Sequence, residues 1–348
     1  MTDANVADRT RIPADDLVEL IRVFDIGEVL DQQHLTDGLM NVNWRLDTRA
    51  GRFALKRVTD VPIDRLRRNL AVLPILVSHG VPTCVPLSTV HGDVIAEVCG
   101  SGYCLFPWSA GGHVRGTDLS LAQASEFGAH LARLHTALGH AADEAGLPAV
   151  PASVTAKVTE PGRALQKADR LARAVSARGV GDSFDVATGV ALEERKILLG
   201  KHAHLRPEGD AAAGPHGWTH GDFQYRNVLW ADGELVAVLD WDRLGIRPYA
   251  EEVVRTAQVQ FGVEGVFDLG RVSAFVDGYR SVLPLEPATL LDAARRLWWK
   301  RMTDFWQLEF HYDRHDHSCD DLFIADEALL HRWTERLDEV ERAFVGAP

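Results

Sequence analysis

One segment of the sequence, residues 219–242, carries side chains whose types and spacing suit acid–base and metal chemistry. Its sequence is THGDFQYRNVLWADGELVAVLDWD. Asp222 is followed five positions later by Asn227, and an apolar run further on ends in Asp240. A carboxylate can accept the proton of a hydroxyl group, and carboxylate and amide oxygens are ligands for Mg²⁺. Phosphoryl transfer from ATP to a hydroxyl group requires such a set of groups.

A predicted hairpin explains how these side chains would come together. Two short apolar strands, at 228–230 and 235–239, flank an Asp-Gly turn. Because the first strand starts after Asn227 and the second ends at Asp240, the hairpin gathers Asp222, Asn227 and Asp240 around one small volume. A lone Gly-Asp pair is usually only a turn. The combination of Asp222, Asn227, an Asp-Gly turn and a strand leading to Asp240 is hard to explain by a purely structural role.

The segment resembles the aminoglycoside phosphotransferase family, which includes homoserine-kinase-like and choline-kinase-like enzymes. HGDFQYRNVLW resembles the family's catalytic loop, and LVAVLDWD resembles its metal-binding strand. The resemblance implies that Asp222 is the catalytic base and that Asn227 and Asp240 bind Mg²⁺. It also implies that Asp242 assists the metal site or faces the substrate. ATP and Mg²⁺ are therefore the expected cofactors.

The family shares the two-lobed, protein-kinase-like α+β fold, which the rest of the sequence also favours. A small, β-rich N-terminal lobe is expected over residues 1–106, and a larger, mainly helical C-terminal lobe over 107–348. Hydrophobic periodicity and turn residues predict the elements. Before residue 107 these are a helix near 15–23, two strands around Ala50-Gly51, a helix over 63–79 that contains Pro74, and strands at 85–90, 94–98 and 103–106. After it come helices at 121–138, 163–177, 190–204 and throughout 251–344, with loops at 139–160 and 205–216.

The resemblance also assigns the nucleotide-binding residues. In this fold a lysine on a strand of the small lobe binds the ATP phosphates, and Lys56 in FALKRV occupies that position. The loop before it, with Gly38 and Asn41, would cover the phosphates. The stretch CLFPW resembles the hinge between the lobes, so Phe106 and Trp108 are predicted to contact adenine through their backbone. A plain core role for these two aromatic residues is the alternative.

One expected residue of the small lobe is missing. Protein kinases pair the strand lysine with a glutamate on a helix. The predicted helix at 63–79, IDRLRRNLAVLPILVSH, contains no glutamate. Asp64 and Glu97 are possible partners for Lys56; otherwise Lys56 is held differently or this lobe is aligned incorrectly, and the sequence does not decide between these alternatives.

The acceptor substrate is expected against the C-terminal lobe. Trp299 and Trp306 could form an aromatic wall for a sugar or an alkylammonium group, and Asp304 could bind an amine. A core role for the tryptophans and a solvated position for Asp304 are the competing interpretations. The segment 311–321, HYDRHDHSCDD, contains three histidines and a cysteine. It is a polar loop at the substrate cleft, a plain surface loop or a separate zinc site.

The whole-chain properties limit the class of protein. The chain has 348 residues and a formal net charge of -13, which argues against a nucleic-acid partner and is compatible with a cationic substrate. Its four cysteines form no CxxC pair, so a disulfide framework is not expected. The polar N-terminus and the lack of a long apolar window predict a cytoplasmic protein with no membrane partner.

The best-supported function is a small-molecule kinase. Its substrate is a hydroxyl-bearing molecule such as an aminoglycoside or other antibiotic, an amino sugar, homoserine or choline. A protein kinase would have an Ala-Pro-Glu motif after Asp240, and none follows. A catalytically inactive, nucleotide-binding regulator is the remaining alternative. Such proteins usually lack the base or the metal-binding aspartate, whereas Asp222, Asn227 and Asp240 are all present.

Overall fold

A computed structural model describes residues 10–36, 41–179, 181–263 and 265–346. The chain folds into two compact units. The first comprises Met1–Val114, Thr136–Ala149 and His220–Gly245, and the second comprises Arg115–His135, Val150–Thr219 and Ile246–Pro348. The segment with the predicted catalytic residues thus groups with the N-terminal residues. The division into lobes at residue 106 stays a prediction.

The first unit contains an antiparallel five-stranded sheet with the strand order β1-β2-β3-β5-β4. In β2, alternate residues Val42, Trp44 and Leu46 are buried, as expected for a strand with one face on a core. These side chains share a hydrophobic cluster with Leu20 of helix α1. The elements are α1 (Ala14–Phe24), β1 (Val29–Leu35), β2 (Val42–Thr48), β3 (Gly51–Val58), β4 (Ala96–Val98) and β5 (Ser101–Pro107).

Two predictions for this unit need correction. The helix predicted over 63–79 is two helices, α2 (Ile63–Leu70) and α3 (Leu73–Ser78), with Pro74 in the first turn of the second. Proline has no backbone N–H and is tolerated only in a first helical turn, so it separates the two. The strand predicted at 85–90 does not form. Pro86 interrupts it, and Leu87 makes one strand-like hydrogen bond to Leu105.

The predicted hairpin forms from β7 (Val228–Ala231) and β8 (Glu234–Val238). Its turn places Asp232 at φ 51° and Gly233 at φ 85°, the left-handed conformations that an Asp-Gly hairpin turn uses. Backbone hydrogen bonds fix the hairpin on both edges. Val238 N–H donates to Pro82 O at 2.7 Å, and the backbone groups of Gly112 and Trp230 exchange two bonds of 2.9 Å.

The second unit is mainly helical. The helix predicted at 121–138 extends to Glu144, so the predicted loop at 139–160 begins later than expected. Helices α4 (Leu121–Glu144) and α8 (Leu269–Arg280) touch at glycines. A Cβ on Gly128 would lie 1.9 Å from Phe275 O, and one on Gly278 would lie 1.8 Å from Ser125 O. Within the described ranges, no helix is long and apolar enough to cross a membrane. The remaining helices and strands are α4 (Leu121–Glu144), α5 (Pro161–Ala177), α6 (Ser183–His202), β6 (His216–Thr219), β9 (Gly245–Pro248), α7 (Tyr249–Phe261), β10 (Gly262–Val263), β11 (Val266–Phe267), α8 (Leu269–Arg280), α9 (Pro287–Thr303), α10 (Trp306–Arg314), α11 (Asp320–Glu335) and α12 (Leu337–Val345).

Candidate active site

His220 ties the start of the predicted catalytic loop to the end of strand β8. The residue is fully buried. Its Nδ1 accepts a hydrogen bond from the backbone N–H of Asp222 at 3.2 Å, and its Nε2 lies 2.9 Å from the carbonyl oxygen of Leu239. These partners assign a neutral ring with the proton on Nε2, because Nδ1 faces a donor and Nε2 faces an acceptor. His220 therefore supports the loop rather than reacting.

Asn227 connects the predicted base to the metal-binding strand. Its amide nitrogen donates to the Asp222 carboxylate at 3.0 Å and to the Asp222 carbonyl oxygen at 2.8 Å. The backbone carbonyl oxygen of Asn227 accepts a hydrogen bond from the Leu239 N–H at 2.8 Å. Because the amide nitrogen is committed to Asp222, the amide oxygen is the atom that Asn227 can offer to a cation.

Two further side chains hold this loop, and the sequence analysis missed both. The Nδ1 atom of His113 lies 3.1 Å from the carbonyl oxygen of Tyr225 and 3.0 Å from that of Val228. The side-chain amide of Gln224 donates to the Asp222 carboxylate at 3.4 Å. His113 lies far away in sequence and belongs to no recognisable motif, so only the fold shows its role.

Lys56 lies on β3 and bridges the two aspartates that follow β8. Its ammonium group donates to Asp240 Oδ1 at 2.7 Å and to Asp242 Oδ1 at 2.5 Å. The side chain of Lys56 is 12% exposed, that of Asp242 is 3% exposed and that of Asp240 is 37% exposed. A buried ammonium group needs compensating carboxylates, and two converge on this one.

The charges in this cluster shift one another's pKa values. Burial would lower the pKa of Lys56, but the charges of Asp240 and Asp242 outweigh it and raise that pKa. Burial would raise the pKa of Asp240, but the adjacent Lys56 ammonium outweighs it and lowers that pKa. For Asp242, burial together with the charge of Asp240 outweighs Lys56 and raises the pKa. The two carboxylates therefore differ in how readily they lose a proton.

Two buried asparagines fix the turn that carries Asp240 and Asp242. The amide nitrogen of Asn41 donates to Asp242 Oδ2 at 2.8 Å, and its amide oxygen accepts from Thr59 N–H at 3.1 Å. The amide nitrogen of Asn69, on α2, donates to the carbonyl oxygens of Trp241 at 2.9 Å and Asp242 at 3.2 Å. Asp240 itself has φ 59°, a left-handed conformation that aspartate adopts more readily than most non-glycine residues.

Comparison with known proteins places the chain in a family. Residues 31–285 match the phosphotransferase enzyme family. The chain belongs to this family. It is 24% identical over 306 residues to homoserine kinase from Methylobacillus glycogenes, covering 85% of this chain and 86% of that protein. It is 27% identical over 291 residues to homoserine kinase from Phenylobacterium zucineum, covering 80% and 79%.

Solved structures share the fold of this phosphotransferase. A spectinomycin phosphotransferase in complex with ADP and spectinomycin matches with a TM-score of 0.62 and 16% identity, over 96% of this chain and 98% of that one. A microcompartment-associated aminopropanol kinase matches with a TM-score of 0.57 and 17% identity, over 94% and 100%. The predicted protein-kinase-like fold is thus confirmed. Family membership also confirms the prediction of a small-molecule phosphotransferase.

The structure resolves the missing partner of Lys56 in this phosphotransferase. The two candidates from the sequence, Asp64 and Glu97, are both bound to Arg67, at 2.8 Å and 3.1 Å. Asp93 joins the same guanidinium group at 3.0 Å. Lys56 instead pairs with the two aspartates that follow β8, so neither Asp64 nor Glu97 is its partner, and the alternative that Lys56 is held differently applies.

The predicted nucleotide contacts of the phosphotransferase are placed as follows. Phe106 lies in β5 and pairs with Ala54 of β3. Trp108 is 38% exposed, and its backbone N–H donates to Arg52 O at 3.1 Å. Because that N–H already bonds to Arg52, it is not free for adenine. The predicted backbone contact of Trp108 with adenine stays a prediction. Gly38 lies outside the described residues.

Three of the predicted substrate residues of the phosphotransferase, Trp299, Asp304 and Trp306, belong to the second unit, whereas Asp242 belongs to the first. Trp299 is 1% exposed, and its indole N–H donates to Thr159 O at 2.8 Å. This burial favours the core interpretation of Trp299 and offers a substrate no ring face. Asp304 and Trp306, in contrast, line one polar pocket together with Arg195, Arg301, Gln307 and Asp326.

Proposed function

We propose that this phosphotransferase transfers the γ-phosphoryl group of ATP to a hydroxyl group of a small amino alcohol, with Asp222 as catalytic base. The observation that carries the proposal lies within the first unit. There, Asn227 binds the Asp222 carboxylate at 3.0 Å and the backbone of Leu239 at 2.8 Å, directly before Asp240. A proton acceptor and a set of anionic oxygen ligands therefore occupy one rigid loop and hairpin.

The donor atoms fit Mg²⁺. Asp240 and Asp242 present carboxylates to one ammonium group, and Asn227 offers an amide oxygen. These are hard oxygen ligands with an excess of negative charge, which Mg²⁺ prefers. Bound to Asn227 and Asp240, Mg²⁺ would neutralise negative charge on the ATP phosphates.

Each side chain then has a defined task. The Asp222 carboxylate orients the acceptor hydroxyl and takes its proton as the oxygen attacks the γ-phosphorus and the bond from that phosphorus to the departing ADP breaks. The amide of Asn227 holds that carboxylate in place. Lys56 supplies the positive charge that the phosphates require, and exchanges its aspartate partners for phosphate oxygens when the nucleotide binds.

An amino alcohol is the proposed acceptor for two reasons. Homoserine is the substrate named for the sequence relatives, and aminopropanol is the one named for a solved structure with this fold. Both molecules combine a hydroxyl group with an amine. The chain's net charge of -13 is also compatible with a cationic ligand. Asp304 and Trp306 stay the predicted substrate contacts; the small polar pocket that they line in the second unit also contains Arg195 and Arg301.

The test is an ATP-consumption screen of the purified chain with homoserine, aminopropanol, choline and aminoglycosides, each beside its deaminated analogue where one exists. Transfer is expected to an amino alcohol and not to its amine-free analogue. In the variant Asp222→Asn, kcat should fall by about 10²–10⁴-fold while ATP binding measured by calorimetry persists. Asp232→Asn, in the exposed hairpin turn, is the matched control and should retain activity. Full turnover by Asp222→Asn would remove the proposed base.

A further inference from the structure

The histidine-rich segment that follows helix α10 holds a compact group of ligand atoms. His311 lies at the end of α10, His317 lies in the connection, and Asp320 is the first residue of α11. Within the described parts of the chain, these three side chains form a cluster of the kind that could hold a metal ion. All three belong to the second unit, whereas the Lys56 cluster belongs to the first.

The three ligand atoms form a nearly equilateral triangle. His311 Nδ1 is 3.1 Å from His317 Nδ1 and 3.0 Å from Asp320 Oδ2, and His317 Nδ1 is 3.3 Å from that same oxygen. A tetrahedral zinc site with bonds of about 2.0–2.1 Å places neighbouring ligand atoms roughly 3.3–3.4 Å apart. The triangle therefore has almost the dimensions of one face of such a site.

Hydrogen bonding explains this arrangement poorly. A neutral imidazole presents either a donor or an acceptor at Nδ1, and an ionised carboxylate only accepts. If His311 Nδ1–H donates to Asp320, then His317 Nδ1 lies 3.1 Å from that N–H donor and 3.3 Å from the Asp320 oxygen, which is an acceptor. Neither a proton nor a lone pair on His317 Nδ1 suits both neighbours. At least one contact in the triangle is unfavourable in each neutral tautomer. A cation bound to all three atoms makes every contact favourable.

The surroundings fix the His311 ring, and no lysine or arginine among the described residues competes for Asp320. The His311 ring is 1% exposed and stacks on Phe184, with ring centroids 4.5 Å apart and planes inclined by 22°. Over the described residues, Asp320 forms ion pairs with His311 and His317 and with no lysine or arginine. The Asp320 carboxylate is therefore available to a bound ion.

We propose that His311, His317 and Asp320 bind a zinc-class divalent cation that clips the end of α10 to the start of α11. Imidazole ligands select zinc and its transition-metal neighbours over magnesium, so this site is separate in chemistry from the proposed Mg²⁺ site. Three protein ligands leave the fourth tetrahedral position to water. The ion joins two helices across a short connection and stabilises this end of the second unit.

The test uses tag-free, full-length protein that has been treated with a chelator and titrated with Zn²⁺ alone, without nucleotide. Wild-type protein should bind about one equivalent of Zn²⁺ that survives desalting, as measured by calorimetry and elemental analysis. In His317→Ala and Asp320→Asn, the affinity should fall by at least about 100-fold. Because the His317 side chain is 58% exposed, its removal should leave the fold intact.

His315→Asn is the matched control from the same connection. His315 is exposed and adopts φ 55°, a conformation that asparagine tolerates. This variant should bind Zn²⁺ as the wild type does. Substitution with Co²⁺ adds a second measurement, since ligand-field absorption in the visible range should appear in wild type and His315→Asn and be absent from His317→Ala. The proposal is overturned if the wild type binds no Zn²⁺, or if His317→Ala binds it equally well.

Discussion

Two clusters in the first unit each place one cationic side chain among several carboxylates, yet they differ in exposure. Lys56 is 12% exposed and contacts Asp242, which is 3% exposed. Arg67 is 34% exposed and contacts Asp64 and Glu97, which are 97% and 60% exposed. Water can replace the partners of Arg67, whereas it has little access to the contact between Lys56 and Asp242.

This difference determines what each cluster can do. Exposed ion pairs contribute little, because solvent screens them and flexible side chains lose entropy on pairing. A buried cation beside two carboxylates is different, since removing it leaves uncompensated negative charge. The same excess of negative charge is what a divalent cation needs. The buried Lys56 cluster therefore suits a site for metal and phosphate, and the Arg67 cluster suits a solvated surface.

The sharpest test of this comparison is the substitution Lys56→Met. It keeps the bulk of the side chain but leaves the carboxylates of Asp240 and Asp242 without their cation. Unfolding should become easier by roughly 3 kcal/mol, the lower end of the range for breaking a buried ion pair. Urea denaturation measures this change. Nucleotide-free Mg²⁺ should restore more stability in Lys56→Met than in the wild type, because it replaces the missing charge.

Lys201→Met provides the control for Lys56→Met, since Lys201 is exposed on the last turn of α6. It should change stability by no more than about 0.5 kcal/mol, as expected for a surface substitution. Equal stability of Lys56→Met and Lys201→Met would contradict the distinction between buried and exposed cations.

The elements that carry local sequence signals were the ones whose positions the sequence could predict, whereas the roles of the site residues stay predictions. Asp222, Asn227 and Asp240 stand at fixed spacings around an Asp-Gly turn, and the predicted hairpin is present as β7 and β8. Lys56 was assigned to a strand, and it lies on β3. Turns and short strands depend on residues that are close in the sequence, so they can be predicted without knowing the tertiary fold.

The contacts between distant segments could not be predicted. Asn69 and the turn at Asp242 lie 173 positions apart in the sequence, and Lys56 and Asp242 lie 186 positions apart. Asn69 did carry a signal, because it lies beside Leu66 and Leu70 on the buried face of α2. A polar residue on an apolar helix face implies a buried partner, but its identity depends on the tertiary fold.

The variant Asn69→Ala removes an uncharged hydrogen-bond donor that holds the turn beside the Lys56 cluster. The carbonyl oxygens of Trp241 and Asp242 would lose the amide donor in a buried place. Leaving buried acceptors unsatisfied costs about 1–3 kcal/mol, so the free energy of unfolding should fall by that amount. The control is Asp64→Ala on the same helix, which is 97% exposed and should have little effect. A neutral Asn69→Ala would show that water replaces the amide.

The pKa of Asp240 should depend on the Lys56 cluster and not on the Arg67 cluster. Lys56 outweighs burial and lowers the pKa of Asp240 to about 2. A carboxyl group with a lowered folded-state pKa contributes stability above its unfolded value, near 3.9, and that stability is lost as the pH falls toward about 2. Asp240 should therefore stay ionised at pH 3, as carboxyl-carbon NMR titration can show. Its pKa should rise in Lys56→Met and stay unchanged in Arg67→Met. An ordinary pKa for Asp240 in the wild type would contradict the buried pair.

The smallest effect is expected for Arg67→Met, the direct counterpart of Lys56→Met. Asp64, Asp93 and Glu97 lose their guanidinium group but remain hydrated, so the free energy of unfolding should fall by about 0–1 kcal/mol. Raising the salt concentration should shrink this difference, because the Debye length falls from about 10 Å at 0.1 M to about 3 Å at 1 M, which is comparable with the lengths of these ion pairs. The effect of Lys56→Met should persist in the same salt series, measured by urea denaturation. A large, salt-independent loss in Arg67→Met would mean that exposure does not separate the clusters, and that Arg67 fixes the fold as Lys56 does.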